Sequence, residues 1–428
     1  MESLLEFFSF SDHNVQSVVI GSIWLTASCA IVGTFSFLKK RTLVGDAVAH
    51  SVLPGVCLAF ILSGSKNPLY LIPGAFLTGW LSLVLIDKIV AHSKIKEDTA
   101  IGLILSVFFG LGILALTYIQ HTDYANQSGL DHFLFGKAAS IVREDLLIFS
   151  VIAIILMISV ILYFKEFMLI SFDEEFAQSI GVPVRRIELL LTTLTVLAVV
   201  IGIQAVGVVL MAAMLITPAA AARFWTNDLK ILMLLAALFG AFSGISGAYV
   251  SYTAPAMPTG PWIVVILSTI AILSFLFAPT KGTLFRLLKQ VKIKRKIKDE
   301  NTLKTMFYMG EELSSFYHPM EVEEMISKRK MQKSSLEKSL LRLKKEGYLE
   351  KEKTGWVLTK AGKEKGQRIV KLHRLWEVYL TKYLNIAPDH VHDDAENIEH
   401  VITPELEERL EKLLNYPETD PHQSKIPY

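Results

Sequence analysis

Nine apolar segments, at 15–38, 47–63, 69–90, 99–120, 144–164, 187–206, 207–223, 229–251 and 261–278, constrain this chain more than any other feature. Each is long enough, or nearly so, to cross about 30 Å of hydrocarbon as an α-helix. With no water to bond to in lipid, such segments must satisfy their backbone internally, as helices do. The sixth and seventh are poorly separated and Pro218 interrupts the seventh, so the count is eight or nine. Near residue 280 the pattern changes. Residues 1–280 hold 14 Lys/Arg and 17 Asp/Glu, whereas residues 281–428 hold 29 and 24. This shift separates an all-α polytopic membrane domain, 1–285, from a soluble domain. The formal net charge of +2 conceals that asymmetry and identifies no partner. Cys29 and Cys57, both in apolar spans, read as small hydrophobes, without a disulfide framework or a thiolate metal site. Met1–Asn14 lacks the basic start of a cleavable signal.

Basic residues follow the odd-numbered spans: Lys39-Lys40-Arg41, then Lys88, Lys94 and Lys96, then Lys165, Arg185 and Arg186, then Arg223 and Lys230, and finally Lys281 onward. Nine spans place all of these on one side, which the positive-inside bias makes cytoplasmic. The N-terminus is then outside and the soluble domain inside. The opposite loops carry a weaker basic load, with Lys66, Lys137 and Arg143.

The second span opens with Gly45-Asp46-Ala47-Val48-Ala49-His50-Ser51-Val52-Leu53-Pro54-Gly55. Asp46 and His50 are four apart and share a helix face. A carboxylate with an imidazole suits a first-row transition metal, and ionisable residues inside a membrane domain usually face a pore or a partner. The alternative is a helix start, with Asp46 as its cap and His50 on a packed face. The span count puts Asp46 near the cytoplasmic end, which conflicts with a mid-membrane site unless Arg41–Gly45 dips into the protein. Gly202, Gly207, Gly240, Gly244 and Gly247, with Ala219–Ala222, suit close helix packing.

In the loop from Ser171 to Pro183, Asp173 can cap a short helix, Phe176 and Ile180 share a face, and Gly181 with Pro183 stops it. Two apolar anchors on so short a helix suit the groove of a cytoplasmic partner. A helix lying on lipid is the alternative. Residues 286–300 read as a basic linker suited to anionic membrane lipid, or simply as a solvated charge run.

Residues 301–365 read as a winged helix: helices at Met320–Lys330 and Ser334–Glu346, then strands around Leu349 and Trp356–Thr359 joined by the turn Lys353-Thr354-Gly355. Lys330, Lys333, Lys338, Arg342, Lys344 and Lys345 could meet phosphates, but Glu337 and Glu346 interrupt that face. The membrane tether favours a protein-contact fold, and DNA is not an expected partner. Residues 366–428 read as helical. Glu396, Glu399 and His400 have helical spacing, with His392 and Asp393 just before and His373 upstream, which suits a metal cluster or a solvated face.

The membrane half, about 10–285, resembles the permease subunits of ATP-binding-cassette importers for manganese, zinc or iron. The carrying residues are the Gly45–Gly55 stretch and Gly207-Val208-Val209-Leu210-Met211-Ala212-Ala213-Met214-Leu215-Ile216-Thr217-Pro218-Ala219-Ala220. The resemblance implies a bacterial plasma-membrane location. It also implies cytoplasmic ATPase subunits, a second permease of the same or a different chain, and an outer metal-binding lipoprotein. The chain has no Gly-x-x-x-x-Gly-Lys-Ser/Thr phosphate loop, so a separate subunit would hydrolyse ATP. By resemblance Asp46 and His50 line the metal path. The same resemblance implies that Asp173, Phe176, Ile180 and Gly181 belong to a coupling helix that docks into the ATPase. The expected cargo is a divalent metal, Mn(II) before Zn(II) or Fe(II), and no organic cofactor is implied. Residues 301–428 resemble iron- and manganese-responsive repressors of the diphtheria-toxin-repressor type, through the wing Glu352–Thr359, His373 with Glu377, Glu396-Asn397-Ile398-Glu399-His400 and the ending Pro417–His422. By that resemblance His373, Glu396, Glu399 and His400 are metal ligands of a metal-sensing regulatory domain. Its first helix should add acidic ligands, but here it offers Asn301 and Lys304, which leaves the site incomplete or completed by Asp299 or Glu300.

Overall fold

A computed structural model describes residues 7–9, 13–65, 67–121, 143–254, 257–279, 281–387, 399–400 and 402–428, without the side chains of 143–144 and 204–205. They form two compact units, Met1–Phe285 and Arg286–Tyr428.

The first unit is helical throughout its described residues: α1 His13–Leu38, α2 Val44–Ser63, α3 Pro68–His92, α4 Glu97–His121, α5 Arg143–Leu162, α6 Phe164–Phe172, α7 Glu174–Ser179, α8 Val184–Val206, α9 Val208–Arg223, α10 Leu229–Thr253 and α11 Thr259–Phe277. Eight of these are long and apolar enough to cross a membrane. The seventh apolar segment, α9, has 16 residues, which extend about 24 Å. Gly207 separates it from α8 at φ +83°, a backbone that a side chain would strain. The apolar window is 72% buried in α1 and α2 but 22% in α11, so the first two form the centre and the last lies at the periphery.

Small residues bring the helices into backbone contact, which in lipid takes the place of hydrophobic segregation. A Cβ on Gly55 of α2 would lie 2.1 Å from the Gly74 carbonyl oxygen of α3, and one on Gly240 of α10 would lie 2.8 Å from that of Thr26 in α1. Gly55, in the second-span motif, is therefore accounted for by packing.

The second unit is built from α12 Thr283–Glu312, α13 Val322–Lys328, α14 Lys333–Lys345, β1 Leu349–Lys351, β2 Trp356–Leu358, α15 Lys360–Leu384 and α16 Pro404–Leu414. Residues 286–300, expected as a linker, continue helically into 301–312 within α12. The strands pair antiparallel, Leu349 opposite Leu358, and Met320 bridges to Trp356. Leu336, Leu340 and Leu343 bury one stripe of α14 against Leu303 and Met306 of α12, with Trp356 closing the wing. Leu375, Leu410, Leu414 and Ile426 form a second core.

Candidate metal path and buried cation cluster

Asp46 lies in the first turn of α2 and His50 one turn later. His50 Nε2 stands 3.5 Å from Asp46 Oδ1, and both side chains are partly buried. Two donors each about 2.1 Å from one ion stand roughly 3.0–3.5 Å apart, so the pair can share a cation. The edge of Phe109 meets the imidazole at 4.9 Å between ring centroids. His50 Nδ1 is buried with no hydrogen-bond partner among the described residues. No group of three or more His, Cys, Asp or Glu arranged for a metal occurs among those residues. The pair thus supplies part of a coordination shell.

The entry to α2 is fixed by charge. Arg41 reaches Asp87 of α3 and Glu97 of α4, each at 2.5 Å, and Lys39 bonds Glu188 of α8. Asp46 therefore stands close to the Lys39–Arg41 charges. The two motif stretches pack together: a Cβ on Gly45 would meet Leu215 Cδ2 of α9 at 2.8 Å.

Asp173 caps α7 by accepting the Phe176 amide at 2.9 Å. Ala177 is fully buried, whereas Phe176 and Ile180 are 50% and 54% exposed. Gly181 follows at φ +87°, letting the chain turn before Pro183. The result is a capped helix of 6 residues anchored by Ala177, with Phe176 exposed on it and Ile180 exposed at its C-terminal cap.

In the second unit, Glu396, His392 and Asp393 lie outside the described residues. Glu399 and His400 occupy a turn. Thr403 caps the next helix, α16, with Pro404 in its first turn. Glu399 meets His373 of α15, Oε2 to Nδ1 at 2.6 Å, and the other ring nitrogen, Nε2, faces Glu377 at 3.0 Å. His400 Nδ1 bonds Glu300 of α12 at 2.6 Å. His400 Nε2 is buried without a hydrogen-bond partner among the described residues. Of the two proposed substitutes, Glu300 joins the cluster. Asp299 instead binds Arg342 at 2.6 Å and also bonds Ser339.

Lys304 of α12 completes the arrangement. Its ammonium donates to both Glu399 oxygens, at 2.9 and 3.1 Å, and stands 3.0 Å from His373 Nδ1. All three side chains are almost wholly buried. Burial disfavours the His373 cation, but carboxylates at both ring nitrogens outweigh it and raise its pKa. Burial also opposes ionisation of Glu399, and His373 with Lys304 outweigh that and lower its pKa. A metal bound to Glu399 and His373 at about 2.1 Å would need the space the ammonium holds. As arranged, this half of the cluster does not fit a metal. The signal for Lys304 in the sequence was faint, a lone cation within Leu303-Lys304-Thr305-Met306-Phe307.

Comparison with known proteins covers both units. The ABC 3 transport family matches residues 11–278, and the iron dependent repressor metal binding and dimerisation domain matches 359–428. The manganese transport system membrane protein MntC of Bacillus subtilis is 41% identical over 405 residues, 94% of this chain and 92% of the relative. The zinc transport system membrane protein TroC of Treponema pallidum is 42% identical over 284 residues, 66% of this chain and 95% of the relative. Among solved structures, PsaBC from Streptococcus pneumoniae in complex with Fab aligns at a TM-score of 0.60 and 34% identity, covering 67% of this chain and 99% of that one.

Proposed function

The chain belongs to the ABC 3 transport family and carries a C-terminal domain of the metal-dependent repressor type, and from that premise we propose that it imports Mn(II), with Zn(II) or Fe(II) as the alternative cargo. It is a multi-pass membrane protein and a transport permease rather than an enzyme. The observation that carries the metal reading is the Asp46–His50 pair, an oxygen and a nitrogen donor 3.5 Å apart on one helix face. That donor set favours a borderline or hard divalent ion over a soft one. The B. subtilis relative, named for manganese and aligned through both units, ranks Mn(II) first.

Two donors make an incomplete shell, and a second permease, a further copy or a different chain, would supply the rest. An outer lipoprotein would deliver the ion. Separate cytoplasmic ATPases would grip α7 through Phe176 and Ile180, and their closure on ATP would shift the bundle between two states through contacts that differ between them. On this reading, with α9 counted as a crossing, the basic loops and the second unit would face the bacterial cytoplasm and the N-terminus the outside. The basic residues of 286–300 would meet anionic lipid of the inner leaflet.

The repressor-type unit is the regulatory part, acting on the permease to which it is joined. Arg342 is engaged by Asp299 and Lys333 by Glu323, which weakens the face that would meet DNA. As a metal sensor, the unit would brake uptake when internal metal is high. Lys304 in the cluster favours a second reading, regulation without metal at His373 and Glu399. Equilibrium Mn(II) binding to the purified chain tests the path: Asp46→Ala and His50→Ala should each weaken binding at least about tenfold. Unchanged binding in both would remove the pair from the path. Deleting 301–428 should leave uptake but abolish its inhibition by internal metal; persistence of inhibition would sink the sensor reading.

A further inference from the structure

We infer that Lys304 is a built-in cation that takes the place of a metal at His373 and Glu399, so that this part of the repressor-type unit keeps its closed arrangement metal-free. The inference rests on the repressor-type assignment of the second unit and is independent of the transport path.

Three observations carry it. The first is position. The Lys304 ammonium bonds both oxygens of Glu399, 95 residues away in sequence, and thereby joins α12 to the turn before α16. A bound metal would make the same link between the first helix of the unit and its distal ligands. The second is charge. The Lys304 ammonium already engages both Glu399 oxygens and stands 3.0 Å from His373 Nδ1. A divalent ion bound to those two side chains would be pressed against that buried ammonium, like charge against like, an arrangement that interiors disfavour strongly. Arg329 adds to that field, since it lies close enough to Glu399 to feel its charge.

The third is access. A cavity of about 690 Å³ borders the cluster and is lined in part by Lys304, Tyr308, Arg329, His373 and Glu377. An ion could therefore reach the cluster, and what excludes it is the ammonium already there. The same substitution explains the missing acid on the first helix, because an acid at 304 would place a third carboxylate against Glu399 and Glu377 and require a metal between them.

The test uses the full chain carrying Asp46→Ala and His50→Ala, so that the transport path is silent, with amide hydrogen exchange read over α15 and α16. With Lys304 present, saturating Mn(II) and excess chelator should give the same exchange. Lys304→Glu should raise exchange in chelator by roughly a hundredfold, the loss anticipated when a buried charge loses its partner, and Mn(II) should reverse most of the rise. Lys304→Met, which removes the charge but keeps the stem, should show the same rise with a smaller reversal. Slowing of exchange by Mn(II) with Lys304 in place, abolished by Glu399→Gln, would overturn the inference, and so would a Lys304→Met chain that exchanges like its parent. The Mn(II) response with Lys304 in place decides the matter even if neither variant folds. Failure here leaves the uptake predictions for Asp46 and His50 untouched.

Discussion

The carbonyl oxygen of Leu215 lies 1.8 Å from where a Cβ on Gly33 would stand. α1 and α9 therefore meet backbone to backbone, and the Leu215 side chain also presses on Gly45, one residue before Asp46. Gly33→Ala must push the two helices apart, at a cost of about 1–3 kcal/mol for an overfilled core. Gly102→Ala and Gly110→Ala are the controls, because a Cβ at either meets nothing within 4 Å. Thermal melting of the purified protein should show a lower midpoint for Gly33→Ala alone. Equal midpoints for all three would contradict the packing.

The exposed side chains of α7 predict a loss of coupling without a loss of fold. Phe176→Ala and Ile180→Ala should leave stability within about 0.5 kcal/mol, as for surface positions, while reducing co-purification of the ATPase and ATP-driven uptake. Asp173→Ala should reduce coupling and also lower stability, since it removes a cap worth about 1 kcal/mol. Unaltered ATPase capture by Phe176→Ala, Ile180→Ala and their double variant would move the docking site elsewhere.

Acid sensitivity of the second unit should pass through Glu407. Burial opposes its ionisation, but Lys371 and Arg368 outweigh burial and hold its pKa below the ordinary 4.5. With the folded value depressed, the contribution to stability is complete above the ordinary value and is lost as pH falls through the folded one. Lys371→Met removes the nearer cation, at 2.6 Å, and should move the acid loss of α16 to higher pH. Hydrogen exchange of α16 across an acid series checks this; an unmoved midpoint would contradict it.

What was legible in the sequence was local. The Asp173 cap, the Gly181 stop, the shared face of Asp46 and His50 and the paired strands of the wing follow from spacings of a few residues, and the structure shows each of them. The cluster in the second unit depends on residues far apart in sequence, Glu399 lying 95 positions after Lys304 and His400 lying 100 after Glu300. No local period reveals such pairings. Glu396, the remaining expected ligand, lies outside the described residues.

The most direct measurement is Mn(II) uptake by the assembled transporter in membrane vesicles, comparing the parent chain with Asp46→Ala, His50→Ala and Phe109→Leu. Loss of most uptake in the first two, with ATP hydrolysis retained and Phe109→Leu only slowed, is the result predicted if the pair lines the metal path. Full uptake by both Asp46→Ala and His50→Ala would contradict that assignment.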